Sequence, residues 1–279
     1  MDAIRRYDRR LFLSCAGRAG LGVVIVGTTA ACATDGAQEV SDAAPSTPQP
    51  ATAAPAADSS AAPLSSEAPA SAGASEPAVV AFDWRRVDLG FVSAYLLVKE
   101  NQAVVVDTGV DGSAADIEQA LTALGLGWYA VDHVIFTHDH PDHIGSSTAV
   151  LEAAPDAQAY AGEADILSIT SPRPIMPVGD GDEVFGLQIV ETPGHTPGHI
   201  SVLDRAGGVL VAGDALVGAA DGGQVAGPDA AFTADMAMAV SSVRKLAALE
   251  FDTVLFGHGN PVEEGAGEQV DALAERLSG

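Results

Sequence analysis

The residues of this sequence most able to do chemistry lie in one heptapeptide. Thr137-His138-Asp139-His140-Pro141-Asp142-His143 puts three of the chain's seven histidines within six residues. It directly follows the apolar run 134–136, so His138 and His140 leave a strand end two apart, with both side chains on one side. Pro141 favours a turn into a new helix, which brings Asp142 and His143 round to the same cavity. Imidazole and carboxylate together suit zinc, iron or manganese, and nothing in a plain surface loop requires this density of ligand-type side chains. Asp139 has the opposite strand parity and is expected to point away, as a helix cap or a support behind the ligands.

More such residues recur at strand ends beside glycine. His195 stands in Thr192-Pro193-Gly194-His195, Asp214 in Ala212-Gly213-Asp214, and His258 in Gly257-His258-Gly259. Glycine there lets backbone and metal approach closely. No cysteine occurs after Cys32, so the folded part has neither a thiolate ligand nor a disulfide.

The elements that must position these residues are readable from apolar spacing. Strand-length runs lie at 94–98, 103–106, 134–136, 187–190, 200–203, 209–212 and 253–256. Helical spacing covers 114–124, 146–153, 233–249 and 266–277, with Ser113 and Thr233 as N-caps and Gly125 as a stop. Strands outnumber helices, and the helices fall between strand pairs rather than after each strand. The fold class is therefore α+β, or a four-layer αββα arrangement, rather than a doubly wound parallel sheet.

With this order of ligands, the sequence resembles the metallo-β-lactamase fold superfamily, whose signature is H-x-H-x-D-H followed by a distant His, Asp and His. Val106-Asp107-Thr108-Gly109 is similar to its first motif, and the resemblance covers essentially all of 82–279. It implies an αββα sandwich with a metal site at one edge of the two sheets. It also implies that His138, His140 and His195 hold a first metal, that Asp142, His143 and His258 hold a second, and that Asp214 bridges them. Asp107 would orient a ligand or a nearby turn. His199 would be structural, supporting the ligands from behind, or else would face substrate; His133 is expected at the surface.

Two divalent ions, zinc first and iron or manganese otherwise, would lower the pKa of a shared water to about 7. A bridging hydroxide would then cleave an ester, thioester, lactone or lactam of a small molecule, with Asp142 orienting it and protonating the leaving group. A β-lactamase, a mononuclear iron dioxygenase acting on persulfides and a non-catalytic metal-binding lipoprotein are the competing readings. Specificity is expected in the loops 161–183, with Arg173 either pairing with a substrate carboxylate or simply solvated, and 216–232.

Charge and composition bound the rest. The stretch 82–279 carries eight Lys and Arg against 30 Asp and Glu, a net −22, which makes nucleic acid a poor partner. Of the 48 residues in 33–80, 36 are Ala, Pro, Ser, Thr or Gly and none is basic or aromatic, as expected of a disordered linker. Residues 1–32 read as an export signal: a basic start, an apolar run at 19–31, then small residues up to Cys32. Asp8-Arg9-Arg10-Leu11-Phe12-Leu13 resembles a twin-arginine motif, against the plainer reading of a positive N-terminal region. Thr29-Ala30-Ala31-Cys32 resembles a lipobox, against ordinary cleavage after Ala33. The expected protein is thus an exported domain, 81–279, held by a lipid on Cys32 at the outer face of the cytoplasmic membrane or in the periplasm, or else secreted and soluble. Oligomeric state is open.

Overall fold

Most strands of this chain are apolar on both faces, and the layers of the computed structural model explain it. The structure describes residues 80–219 and 221–278, within one compact unit, Ser71–Gly279. The signal expected at 1–32, with Cys32, and all but the last residue of the linker expected at 33–80 lie outside the described residues.

The first sheet runs in the order β1 (Asp83–Asp88), β2 (Ser93–Lys99), β3 (Gln102–Val106), β4 (Val131–Phe136), β5 (Gln158–Gly162), β6 (Ile175–Val178). It begins as an antiparallel meander and continues in parallel from β3. Between its strands come α1 (Ala114–Ala123), α2 (Pro141–Ile144) and α3 (Ser147–Ala153). The second sheet contains β7 (Glu183–Val184), β8 (Leu187–Glu191), β9 (Ile200–Asp204) and β10 (Val209–Gly213). A small pair, β11 (Val217–Gly218) and β12 (Val225–Ala226), precedes α4 (Met236–Ala247). Then β13 (Thr253–Phe256) joins the second sheet beside and parallel to β10, and α5 (Ala266–Arg276) ends the described chain.

Period-2 alternation assigns each strand residue to one of three apolar layers. Leu96, Val105, Val134 and Phe136 face outward onto Ile117 and Leu121 of α1 and Val150 and Leu151 of α3. Their neighbours Tyr95, Leu97, Val104 and Ile135 face inward onto Leu187, Ile189, Val202 and Leu255 of the second sheet. Leu203, Leu210, Val254 and Phe256 face the other way, onto Val243 and Leu246 of α4 and Val270 and Leu273 of α5. Three interfaces between four layers make the αββα sandwich, and each fully buried Leu, Ile or Phe contributes about 1.5–3 kcal/mol. Strands buried on both faces read as continuous apolar runs, and for that reason they were visible in the sequence.

Two of the strands absent from that reading, β1 and β6, have physical reasons for hiding. Edge strand β1 is Asp-Trp-Arg-Arg-Val-Asp and buries only Val87. Edge strand β6 contains Pro177, which an outermost strand tolerates because its missing N–H need not pair. It shortens the expected loop 161–183, which also holds a 3-10 turn, Glu163–Ser168. α4 starts at Met236, with Asp235 rather than Thr233 as its N-cap: the Asp235 carboxylate accepts from the Met238 N–H at 2.9 Å. Ser113 does hold the cap position of α1, but its side chain makes no cap bond.

Arg173 fits neither of its expected roles. Its guanidinium donates to the carbonyls of Pro155 at 2.6 Å, Ala157 at 2.8 Å and Leu151, so it closes the α3–β5 connection. Hydrogen bonds from a charged donor are worth about 1.5–3 kcal/mol each, discounted where water competes. Arg173→Ala should therefore lower stability in chemical denaturation by about 2–3 kcal/mol, with Arg173→Lys recovering under half because an ammonium cannot span three carbonyls. An unchanged denaturation midpoint would return Arg173 to the solvent.

Candidate metal centre

Strand ends of both sheets converge at one edge of the sandwich. Asp107 follows β3, His138 and His140 follow β4, and Asp142 and His143 lie on α2, which has Pro141 at its first turn. Asp214 follows β10, His258 follows β13, and His195 sits in the β8–β9 loop. Backbone bonds stitch the sheets together here: Ser93 N–H to the Gly257 carbonyl at 2.9 Å and Ile200 N–H to the Thr137 carbonyl at 2.8 Å. A Cβ on Gly257 would lie 2.1 Å from Asp214 Oδ1, so only glycine lets β13 pass this close to the carboxylate.

The structure gathers the seven candidate ligands into two groups, His138, His140, His195 and Asp214 in one and Asp142, His143 and His258 in the other, with one ligand atom per residue and these within 4.8 Å of one another. Asp214 lies between them. Its Oδ1 is 3.4 Å from His143 Nε2, and its Oδ2 is 3.2 Å from His258 Nε2 and 3.4 Å from His195 Nε2.

Proton bookkeeping fixes which nitrogen of each ring is free, with tautomers assigned from the hydrogen-bond network. Thr137 gives its one hydroxyl proton to Asp107, so His138 Nδ1, 3.0 Å away, must donate to it. His143 Nδ1 donates to Asp107 at 2.7 Å, and His258 Nδ1 to the Phe91 carbonyl at 2.7 Å. Thr233 spends its proton on the Asp229 carbonyl, so His195 Nδ1 donates to Thr233. Four Nε2 lone pairs are thereby aimed inward, at each other and at carboxylates. Buried His143 Nε2 and Asp214 Oδ1 have no hydrogen-bond partner. His140 Nδ1 stands 3.1 Å from His138 Nε2 and 2.9 Å from His195 Nε2, and it can supply a proton to only one of them. Acceptors facing acceptors in a dry site are stable only around cations, so this donor set fits metal ions.

Electrostatics gives the same result. Burial holds His138 well below the usual imidazole range and pushes His195 down to about 4, so both stay neutral ligands. Burial also opposes charge on His143, but the Asp214 and Asp107 carboxylates outweigh it and hold the ring well above its usual range. His258 is likewise pushed up to about 10, its own desolvation being overcome by Asp142 and Asp214. Burial works against the charge of Asp214 and Asp142 as well, yet His143 keeps Asp214 ionised and the His258 hydrogen bond keeps Asp142 ionised. Without metal, protons must fill part of the gap.

Other sequence candidates take supporting places. Asp107 has φ +61°, a strained conformation held by three bonds to its carboxylate, from the Thr137 N–H, the Thr137 hydroxyl and His143. His199 is buried; its Nε2 accepts the Asp214 N–H at 3.0 Å and its Nδ1 donates to Thr192, so it braces Asp214 rather than facing substrate. Asp139 belongs to neither ligand group, and His140 rather than Asp139 caps α2. His133 is half-buried against Tyr160 and Phe185, and burial lowers its pKa. The sequence offered no signal for Asp165. This buried carboxylate accepts from Thr196 and the Gly198 N–H and also meets the Asp139 backbone, so it ties the two histidine loops together.

The family model for the metallo-beta-lactamase superfamily matches residues 87–258. The chain belongs to that superfamily. The probable metallo-hydrolase YflN of Bacillus subtilis (strain 168) is 32% identical to it over 220 residues, 63% of this chain and 82% of that protein. The hydroxyacylglutathione hydrolase of Aeromonas hydrophila subsp. hydrophila is 33% identical over 166 residues, and the match spans only 58% of that enzyme's length. A solved structure, TTHA1623 in a di-iron-bound form, is similar with a TM-score of 0.52 and 25% identity, over 67% of this chain and 93% of that one. The superfamily binds divalent metals, and this chain is a metallo-hydrolase within it.

Metal and proton compete for the same nitrogens. Zinc titrated into metal-free protein at pH 7 should release about two protons, from His143 and His258, as read by calorimetry in buffers of different ionisation heat. Because His258 loses its proton only near pH 10, affinity should climb as pH rises towards that value and level off above it. Binding without proton release would refute the raised proton affinities of His143 and His258 in the metal-free protein.

Proposed function

We propose that the domain hydrolyses an ester, thioester, lactone or lactam of a small molecule, using two divalent metal ions, with zinc the first choice. The observation that carries this reading is the set of inward lone pairs with two unpartnered buried atoms, His143 Nε2 and Asp214 Oδ1. His138, His140 and His195 would hold one ion, Asp142, His143 and His258 the other, and Asp214 would touch both. Bound there, the ions supply a lowered water pKa of about 7 and polarisation of the scissile carbonyl.

The protein does the rest. Asp107, Thr137, Thr233 and the Phe91 carbonyl fix the rings of His143, His138, His195 and His258 respectively. Asp142 is ionised and partly exposed, with His258 Nε2 3.3 Å from its Oδ2. It is therefore placed to take the proton of the attacking water as the water oxygen bonds to the carbonyl carbon. When the bond from that carbon to the leaving oxygen, sulfur or nitrogen breaks, Asp142 returns the proton to the departing atom.

Metal-loaded protein should hydrolyse at least one member of a panel of neutral esters, thioesters, lactones and β-lactams. Asp142→Asn should lower kcat about 10²–10⁴-fold, the usual worth of a general base. His140→Ala should lose both metal and activity. No turnover across the panel by fully loaded protein, or a His140→Ala variant unchanged in both respects, sinks the assignment.

The export reading of residues 1–32 is a separate proposal, resting on Arg9-Arg10 and the run up to Cys32. Replacing Arg9-Arg10 with Lys-Lys should keep the protein in the cytoplasm in cell fractionation; undisturbed export argues against a twin-arginine route.

A further inference from the structure

Two exposed aromatic side chains stand beside the centre, and among the described residues no Lys or Arg pairs with its carboxylates. Phe91 is 60% exposed. Its ring stacks on His258 with centroids 6.2 Å apart and planes 14° apart. A single exposed Phe is ordinary on any surface, but this one is held in place. The turn Asp88-Leu89-Gly90-Phe91 is closed by the Leu89 N–H to the Val92 carbonyl at 3.1 Å and the Gly90 N–H to Asp88 at 3.0 Å. The Phe91 carbonyl is the acceptor that fixes His258. On the other group's side, Phe232 is 68% exposed and precedes Thr233, the partner of His195.

Several of the domain's basic side chains are engaged elsewhere. Arg86, the one that reaches the His258 loop, bonds to Ser93 and Asn260 and pairs with Asp88. Arg173 is spent on three carbonyls and Lys245 on Asp180, and Lys99 lies over Phe82 and Phe185 at the far end of β2. Among the described residues no Lys or Arg pairs with a carboxylate of the centre. The surrounding net charge of −22 for 82–279 also disfavours approach of an anion.

Resting on the hydrolase reading, we propose that the substrate is uncharged and carries an aromatic or alkyl group that lies on the Phe91 ring beside His258. Anionic thioesters, such as those of glutathione with its two carboxylates, are disfavoured. A preformed, rigid apolar surface beside the reacting carbonyl binds such a group at little entropic cost, and one extra apolar group in a pocket is worth about 10–200-fold in kcat/KM.

The test compares phenylacetyl, acetyl and succinyl esters of one alcohol with the metal-loaded protein, wild type and Phe91→Ala. The phenylacetyl ester should exceed the succinyl ester at least about tenfold in kcat/KM. Phe91→Ala should reduce the phenylacetyl-to-acetyl ratio at least about fivefold, while Phe91→Leu keeps most of it. Equal hydrolysis of the phenylacetyl and succinyl esters, or an unaltered ratio in Phe91→Ala, overturns the proposal. Benzyl methyl ether, which the centre cannot hydrolyse, separates the two readings by saturation-transfer NMR. Signal in wild type that weakens in Phe91→Ala supports the apolar site even if no ester is cleaved, in which case only the hydrolase reading falls. No signal, with esters cleaved, overturns the apolar site alone.

Discussion

Asp214 is a buried carboxylate with one oxygen that accepts no hydrogen bond, surrounded by imidazole nitrogens whose protons all point elsewhere. A charge in such a place is tolerated only if a compensating charge sits with it. The rest of the edge is built so that this compensation cannot come from the neighbouring rings in their neutral form. Four of the rings commit their Nδ1 proton outward: His138 to Thr137, His143 to Asp107, His195 to Thr233 and His258 to the Phe91 carbonyl. Even His199, which lies behind the ligands, spends its lone pair on the Asp214 N–H and its proton on Thr192. The gap therefore attracts cations, and when metal is absent the raised affinities of His143 and His258 for protons are the same attraction in another form.

The four layers of the fold exist, from the viewpoint of this edge, to hold those outward acceptors still. Asp107 ends β3 in the first sheet and reaches Thr137 and His143 on the next segment of that sheet. Phe91 comes from the β1–β2 turn and reaches His258 after β13 in the second sheet. A side chain anchored across two sheets can move only if both sheets move, and the interior layer of Tyr95, Val104, Ile135, Ile189 and Leu255 prevents that. Tyr95 adds its own tie, donating from its hydroxyl to the Phe256 carbonyl at 2.7 Å, one residue before Gly257.

What the sequence made legible follows from this economy. Ligands cluster at strand ends, and strands buried on both faces appear as unbroken apolar runs, so β2, β3, β4, β8, β9, β10 and β13 and the residues just after them could be read directly. The helices could be read too, because an amphipathic stripe survives in Val243, Leu246, Val270 and Leu273. Edge strands β1 and β6 could not, since exposure removes the alternation that marks a strand. Nor could the acceptors that depend on distant pairing. Thr233 reads as a helix cap by local rules, and only the fold brings it to His195. Arg173 reads as a solvated or substrate-binding cation, and only the fold brings three carbonyls around it.

The same distinction decides where specificity can reside. Residues 161–183 are expected from the sequence to carry specificity, but their first part is locked. Asp165, 1% exposed, grips Thr196 and Gly198, and a Cβ on Gly162 would lie 2.0 Å from the Gly198 carbonyl. Any change of shape there would displace the His195 loop and with it a candidate ligand, so this segment cannot be reshaped for a new substrate without risk to the centre. The β1–β2 turn is differently constrained. The Phe91 backbone carbonyl serves the centre through His258, while the side chain lies against that ring and stays 60% exposed. A backbone anchor leaves the side chain free to vary in size and polarity while the ring of His258 stays fixed. Selectivity can therefore change at position 91 at low structural cost, whereas at Asp165 it cannot.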